Sequence, residues 1–271
     1  MASVSPGAGA VRSRLGQLWR VGGTGVAFAG FGLGGSLLAV TVFPLLAVFS
    51  PAAESTQRRV RYVIHMVFRF FVWSVRRLGV IDVAVEGRQR LADCRGCLVV
   101  ANHPTLLDVV ILMSLSPRLQ CVVKHQLWRN FFLRGVVSAA GFIRNDLPTE
   151  DLLERCAKVF AEGDNLLIFP EGTRTTPGAT PKFLRGFANI ATLSHVEIQP
   201  VVISCVPVTL SRGEPWYSVP PSRPCFRIKL KERWGATVCN QLPQRALNAR
   251  HLVRSLEAYY QDALSNERSG T

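Results

Sequence analysis

Residues 21–53 carry no charged side chain, an unbroken run of 33. A helix needs about 20 apolar residues to cross the hydrocarbon core of a bilayer. The run is therefore long enough to span with tilt, or to enter and turn back. Seven glycines and Pro44 lie within it, which argues against one straight, uniform helix. A secretory signal fits less well. The small residues at 50–53 imitate a cleavage site, but the apolar stretch far exceeds the roughly 7–15 residues of an h-region. Arg12, Arg14 and Arg20 precede the run, and Arg58, Arg59 and Arg61 follow it, so the distribution of positive charge gives no orientation. A re-entrant two-helix hairpin with both ends on the cytoplasmic side reconciles the flanks.

The next segment has a different character. Placed on a helix at 100° per residue, Arg58, Arg61, His65, Arg69 and Arg76 fall within an arc of about 80°. Valines, Ile64, Phe68 and Phe71 interleave with them. This spacing predicts a basic amphipathic helix of the kind that lies among lipid headgroups. A helix packed on a core with a solvated face has the same pattern. The aromatic content and the position just after an apolar run favour the interface.

The formal net charge of the 271-residue chain is +14. Such a surface seeks anions, either nucleic acid, lipid headgroups or phosphorylated substrates. No zinc-finger, helix-turn-helix or RNP signature accompanies the charge, so nucleic acid is not the expected partner. Seven cysteines, an odd number spread from Cys94 to Cys239, read as reduced thiols of a cytoplasmic compartment rather than a disulfide framework. The lone Cys94-Arg-Gly-Cys97 reads as a surface turn before a strand.

Beyond Gly79 short apolar runs alternate with helical patterns. Strands are expected at 80–85, 97–101, 121–123, 165–169, 198–206 and 225–230. Helices are expected at 106–115, up to about 140, at 150–162 with Thr149 as N-cap, at 187–194 and at 244–264. The continuous β-branched run at 198–206 is typical of a strand buried on both faces. The expected architecture is α/β, a mixed sheet covered by helices, preceded by an N-terminal pair of hydrophobic and amphipathic membrane helices. The expected division is a membrane-anchoring part at 1–78 and a body at 79–271.

Two constellations follow strands of that body. Asn102-His103-Pro104-Thr105-Leu106-Leu107-Asp108 joins a strand to a helix. Histidine is suited to accept a proton near neutral pH. A carboxylate in the first helical turn can fold back on the imidazole and hold its tautomer. Taken alone, an HxxxxD is more often a capped turn than a catalytic pair. Phe169-Pro170-Glu171-Gly172-Thr173-Arg174 follows another strand. Glycine permits close backbone approach there, and an arginine can grip a phosphate with two nitrogens. Alone it reads equally as an ordinary loop. His125 reads as structural and His195 as a helix C-cap.

The pair becomes stronger with Gly141-Phe142-Ile143-Arg144-Asn145-Asp146 between them and Ile198-Gln199-Pro200-Val201-Val202-Ile203 beyond. These four blocks, in this order, resemble the glycerolipid acyltransferase family of the 1-acylglycerol-3-phosphate acyltransferase type. The resemblance covers about 103–203. It implies that His103 is the general base, with Asp108 its orienting partner. Glu171, Gly172, Thr173 and Arg174 would line the acceptor site, with Arg174 on its phosphate. Arg144 would be a second phosphate contact, Lys182 and Arg185 would hold anionic groups, and Pro200 would help shape the acyl pocket. The donor would be acyl-CoA or acyl carrier protein, serving as co-substrate with no further cofactor and no metal. The other partners would be an anionic lyso-lipid and the bilayer, at the cytoplasmic face of a membrane (the inner membrane in a bacterium). In the family the second block usually ends Ile-Asp-Arg. Here the cation stands one place early, and a one-residue shift in a strand reverses the face of a side chain. That departure leaves room for an acceptor without a glycerophosphate head, such as an acyl-amino-acid or aryl lipid. A catalytically silent basic surface protein is the non-enzymatic alternative.

Overall fold

In a computed structural model, residues 6–49, 52–239 and 244–269 are described. Three helices come first: α1 (Pro6–Val40), α2 (Val42–Val48) and α3 (Ala53–Arg77). The body then runs β1 (Asp82–Glu86), α4 (Arg88–Ala92), β2 (Leu98–Ala101), α5 (Asp108–Met113) and β3 (Leu119–Val123). A 3-10 turn at His125–Trp128 leads to α6 (Phe131–Ala139), β4 (Ile143–Arg144), α7 (Thr149–Ala161) and β5 (Asn165–Ile168). The chain continues through α8 (Gly186–Ser194), β6 (Ile198–Val206), β7 (Cys225–Leu230), α9 (Ala236–Cys239) and α10 (Arg245–Ser269).

The seven strands form one sheet in the order β1-β7-β6-β2-β5-β3-β4. Every pairing is parallel except β6 with β7. The sheet is therefore mixed, as expected. It is covered on one face by a core that includes α3, α5 and α6, and on the other by α7, α8 and α10. β6 is buried along nearly its whole length, which is why its sequence does not alternate. Pro200 sits inside this central strand and cannot donate to a ladder. The buried Tyr260 of α10 bridges the adjacent gap: its hydroxyl accepts from Val201 N at 3.0 Å and donates to Val100 O at 2.6 Å.

Three local expectations need correction. Pro148, in an extended conformation, occupies the cap position of α7, so Thr149 is the first helical residue and makes no side-chain cap. Cys94 and Cys97 are joined in a disulfide and both are buried. They are neither reduced nor a surface turn. Gly96, at φ 64°, closes the turn that brings their Cα atoms to 6.0 Å. The other five cysteines are free thiols.

The third correction concerns α3. Its basic stripe does not all face outward. Arg61 is buried and ion-paired with Asp164 at 2.8 Å, and its Nη1 also donates to Ala140 O. His65 is buried with Nδ1 2.9 Å from Met113 O. What α3 exposes instead is Tyr62, Met66, Phe70 and Trp73, together with Arg69 and Arg76. Val60, Ile64, Val72 and Val75 pack into the core of the body.

α1 and α3 run antiparallel. Phe31 stacks on Phe68 at 5.6 Å and meets Phe71 edge-on at 5.5 Å, while Thr24 and Phe28 border a small void with Phe71 and Val75. The start of α1 is tied to the 219–221 loop by Gln17 and Arg20. Its end packs on α6, where a Cβ on Gly135 would lie 2.6 Å from that of Ala39. The stretch Arg14–Val48 is long and apolar enough to cross a membrane, and only 6% of its most apolar window is buried. The exposed large hydrophobic side chains of α1 include Leu15, Leu18, Val26, Leu33, Leu37 and Val40. The side chain of Arg12, and residues 50 and 51 of the small-residue run, lie outside the described residues.

Candidate active site

The site forms where β2, β3 and β5 end, all pointing the same way. Ligands of parallel sheets sit beyond the carboxyl ends of strands because the connecting loops diverge there. Asn102 extends the β2–β6 pairing by one residue with its side chain: Nδ2 donates to Ile203 O at 2.8 Å, and Oδ1 accepts from Ile203 N at 2.7 Å. The chain then leaves the sheet at His103.

His103 Nδ1 lies 2.9 Å from Asp108 Oδ2. Asp108 is fully buried, and the His103 side chain keeps 16% of its surface exposed. The same carboxylate accepts from Thr105 N at 2.7 Å and from the Thr105 hydroxyl at 2.6 Å. Three donors thus hold the carboxylate, and the carboxylate holds the imidazole. Phe169 stacks on the ring at 4.2 Å between centroids. With Nδ1 engaged, Nε2 is the nitrogen left to take a proton. Among the described residues no serine or cysteine hydrogen-bonds His103. The geometry suits a base acting on a substrate hydroxyl rather than on a protein nucleophile.

His103 lines a cleft of about 550 Å³. Leu106, Val109 and Leu127 form one apolar side, and Ile168, Leu152, Phe187 and Ile190 another. Lys124, Asn145, Thr173 and Arg174 supply polar groups.

The sequence-predicted residues distribute unevenly around this cleft. Gly172, Thr173 and Arg174 line it. Gly172 has φ 66°, in the left-handed region that favours glycine, and a Cβ there would lie 2.8 Å from Cδ1 of the exposed Leu184. Arg174 is half-committed: its Nη1 donates to Leu210 O and Ser211 O, both at 2.9 Å, holding the loop after β6. Glu171 is not in the cleft wall. Its Oε1 accepts from His103 N at 2.9 Å and from the Thr175 hydroxyl at 2.8 Å, and Thr175 N donates back to His103 O at 2.7 Å. It braces the two site loops against each other. Burial raises its carboxyl above the usual range, partly offset by those hydrogen bonds.

Glu171→Ala would leave the His103 amide and the Thr175 hydroxyl without their acceptor, a cost of about 1–3 kcal/mol. Glu171→Gln keeps an oxygen there and should retain most of the stability. Thermal unfolding of the two variants checks this, and equal loss in both would show that the charge, not the acceptor, matters.

Arg144 is directed elsewhere. It pairs with Asp146 through Nε (2.9 Å) and Nη2 (2.7 Å) on the exposed surface and lies over the Trp128 ring. Val123 pairs with Arg144, and the next residue, Asn145, reaches the cleft in its place. Lys182 and Arg185 are exposed and do not line the cleft; Leu184 between them does. Pro200 is buried within β6 and does not shape the cleft. His125 starts the 3-10 turn outside the cleft wall, and His195 is the left-handed C-cap of α8. Thr105, Phe169, Lys124 and Asn145 went unassigned in the sequence. Only Thr105 carries a local signal, a hydroxyl residue at a helix start.

A base–carboxylate pair at the carboxyl edge of a largely parallel sheet, beside an apolar cleft with two cations, can take a proton from a bound hydroxyl next to apolar and anionic groups. Residues 82–204 match the family model described as Acyltransferase. The matched segment is similar to the 1-acyl-sn-glycerol-3-phosphate acyltransferases. The protein of that name from Pseudomonas aeruginosa is 25% identical over 167 residues, 59% of this chain and 64% of its own. The human beta form is 28% identical over 148 residues, 51% of this chain and 52% of its own. A chloroplastic form from Brassica napus is 29% identical over 111 residues, 40% of this chain and 32% of its own. These alignments take in between a third and two thirds of each relative. The crystal structure of the 1-acyl-sn-glycerophosphate acyltransferase PlsC from Thermotoga maritima superposes with a TM-score of 0.58, covering 93% of this chain and 97% of that one at 19% identity, and shows the same fold.

Proposed function

We propose that this protein is a membrane-associated O-acyltransferase that moves a fatty acyl group from acyl-CoA or acyl carrier protein to the free hydroxyl of a lysophospholipid such as 1-acylglycerol-3-phosphate. The observation that carries the reading is the His103–Asp108 pair, open to a cleft with apolar walls and two cations. His103 Nε2 takes the proton of the acceptor hydroxyl as its oxygen attacks the thioester carbonyl carbon. The carbon–sulfur bond breaks, and the departing thiolate recovers the proton from the imidazolium. The buried Asp108 stabilises that imidazolium without itself being protonated.

Lys124 and Arg174 bind the acceptor phosphate in this reading, and Arg144 does not. The exposed apolar residues of α1, with Tyr62, Phe70 and Trp73 of α3, form the surface that meets the bilayer. The net positive charge favours an anionic, cytoplasmic leaflet.

The purified protein should be given a panel of lyso-acceptors and thioester donors and the products weighed by mass spectrometry. Phosphatidic acid formed from 1-acylglycerol-3-phosphate is the expected result. Acylation confined to acceptors without a phosphate would sink the acceptor assignment and favour an acyl-amino-acid or aryl lipid. Arg174→Lys should raise the KM for the acceptor about tenfold, on the order of 1.4 kcal/mol, because an ammonium loses the planar fork. Arg144→Ala should leave acceptor kinetics near wild type. A change confined to the thioester KM in Arg174→Lys would place the anion on the donor instead.

A further inference from the structure

The segment 129–134, Arg-Asn-Phe-Phe-Leu-Arg, carries the most exposed large hydrophobic side chain among the described residues. Phe131 is 86% exposed, Phe132 stands beside it, also exposed, and their rings meet edge-on at 5.5 Å. Two adjacent phenylalanines in water are a large unsatisfied apolar area. The backbone under them is firmly built: Asn130 Oδ1 accepts from Phe132 N and Leu133 N and caps α6. Arg129 and Arg134 flank the pair, both exposed. No acidic residue lies between 124 and 145.

Two neighbours say what covers this tip. α6 packs on the end of α1, through Gly135 against Ala39 and Val136 beside Gly35. This same end of α1 exposes Leu33, Leu37 and Val40. On the other side, the turn leading into the tip supplies Gln126 and Leu127 to the wall of the catalytic cleft. The tip therefore stands between the apolar helix face and the cleft.

We propose that Phe131 and Phe132 insert into a bilayer containing anionic phospholipid, with Arg129 and Arg134 on the headgroups, so that the cleft mouth is seated on the membrane and long acyl chains pass from lipid to His103 without crossing water. Aromatic rings at the acyl boundary with cations at headgroup level are the arrangement that interfacial helices use. The inference rests on the acyltransferase reading for its last clause only. Neither phenylalanine lines the cleft, so the tip acts on delivery and not on the chemical step.

Two measurements test it on the full-length protein. A nitroxide on Phe131→Cys, in a Cys225→Ser background, is placed in vesicles of phosphatidylcholine and phosphatidylglycerol. Its accessibility to oxygen should exceed that to a water-soluble nickel complex, whereas a label on Arg250→Cys in α10 should show the reverse. Phe131→Ser/Phe132→Ser should lower transfer to a long-chain lyso-acceptor embedded in those vesicles at least tenfold at low lipid. A short-chain acceptor below its critical micelle concentration should be used as by wild type. Arg129→Gln/Arg134→Gln should abolish the dependence on phosphatidylglycerol content. A label at position 131 that stays in water overturns the proposal. So does equal loss on both acceptors, which would make the tip part of the cleft, or strong dipolar coupling between labels, which would seat a second copy there. A wild-type protein inactive on every acceptor counts against the acyltransferase reading, and the depth of the label still decides the tip.

Discussion

His103→Ala should reduce acyl transfer by about 10²–10⁴-fold, the range contributed by a positioned general base, with little change in unfolding temperature. The separation of the two effects follows from the contacts. Asp108 loses one of three donors but keeps the amide and hydroxyl of Thr105 at 2.7 and 2.6 Å. Asn102, which stitches β2 to β6, is untouched. Asp108→Asn is the more disruptive change locally. An amide cannot accept with both of its terminal atoms, so one of the three hydrogen bonds must reverse or be lost, and the imidazole can settle in the wrong tautomer. A small residual rate with measurable loss of stability is expected. Release of free thiol from the thioester donor, followed beside a thermal melt, reads both quantities. Near-normal turnover by folded His103→Ala would remove the proposed base.

Arg61→Gln should destabilise the protein by about 3–5 kcal/mol, because it strands a buried carboxylate. Arg61 and Asp164 have side chains only 2% and 4% exposed, 2.8 Å apart. Gln120 Nε2 also approaches Asp164 Oδ2, at 3.3 Å. Desolvation lowers the Arg61 pKa, and attraction to Asp164 opposes that shift. A loss of this size is a large part of the stability of an ordinary domain. Asp164→Asn should cost a similar amount by leaving the guanidinium uncompensated. Arg61→Met combined with Asp164→Leu should cost much less than either single change, since well-packed apolar residues can replace a buried pair. Denaturation midpoints in a fixed detergent form the cycle. Additive losses in the double variant would show that the two side chains do not act as a pair. The same ion pair clamps α3 to the turn after α7, so this helix is fastened to the body.

The candidate base pair was legible because it is local and sits in a block that the family resemblance singles out. His103 and Asp108 are five residues apart, and one strand-to-helix turn brings them together. β6 was legible because a strand buried on both faces leaves a continuous apolar run. The α3 stripe shows the limit of periodicity. Helical spacing fixes which side chains share a face, but not what that face meets. The partner of Arg61 is Asp164, 103 positions away. The site loops show the same limit. Glu171 was read as a substrate ligand because the family resemblance places it with Gly172 and Arg174 at the acceptor site. The fold instead turns it to the amide of His103, 68 positions distant.

The family resemblance singled out His103 and Asp108, and the residue patterning determined every strand but the two-residue β4, most of the helices and the mixed α/β class. All of these depend on backbone geometry over a few residues. Tertiary structure alone decided which cations reach the cleft. The pairing of β3 with β4 sets Arg144 against Asp146 outside it and brings Asn145 in. Lys124 enters because the strand it follows ends beside β5. It also decided that Cys94 and Cys97 are bonded and buried, and that the apolar α1 lies along α3 and α6. Contacts of this kind depend on distances between segments remote in sequence, and no local pattern of charge or hydropathy carries that information.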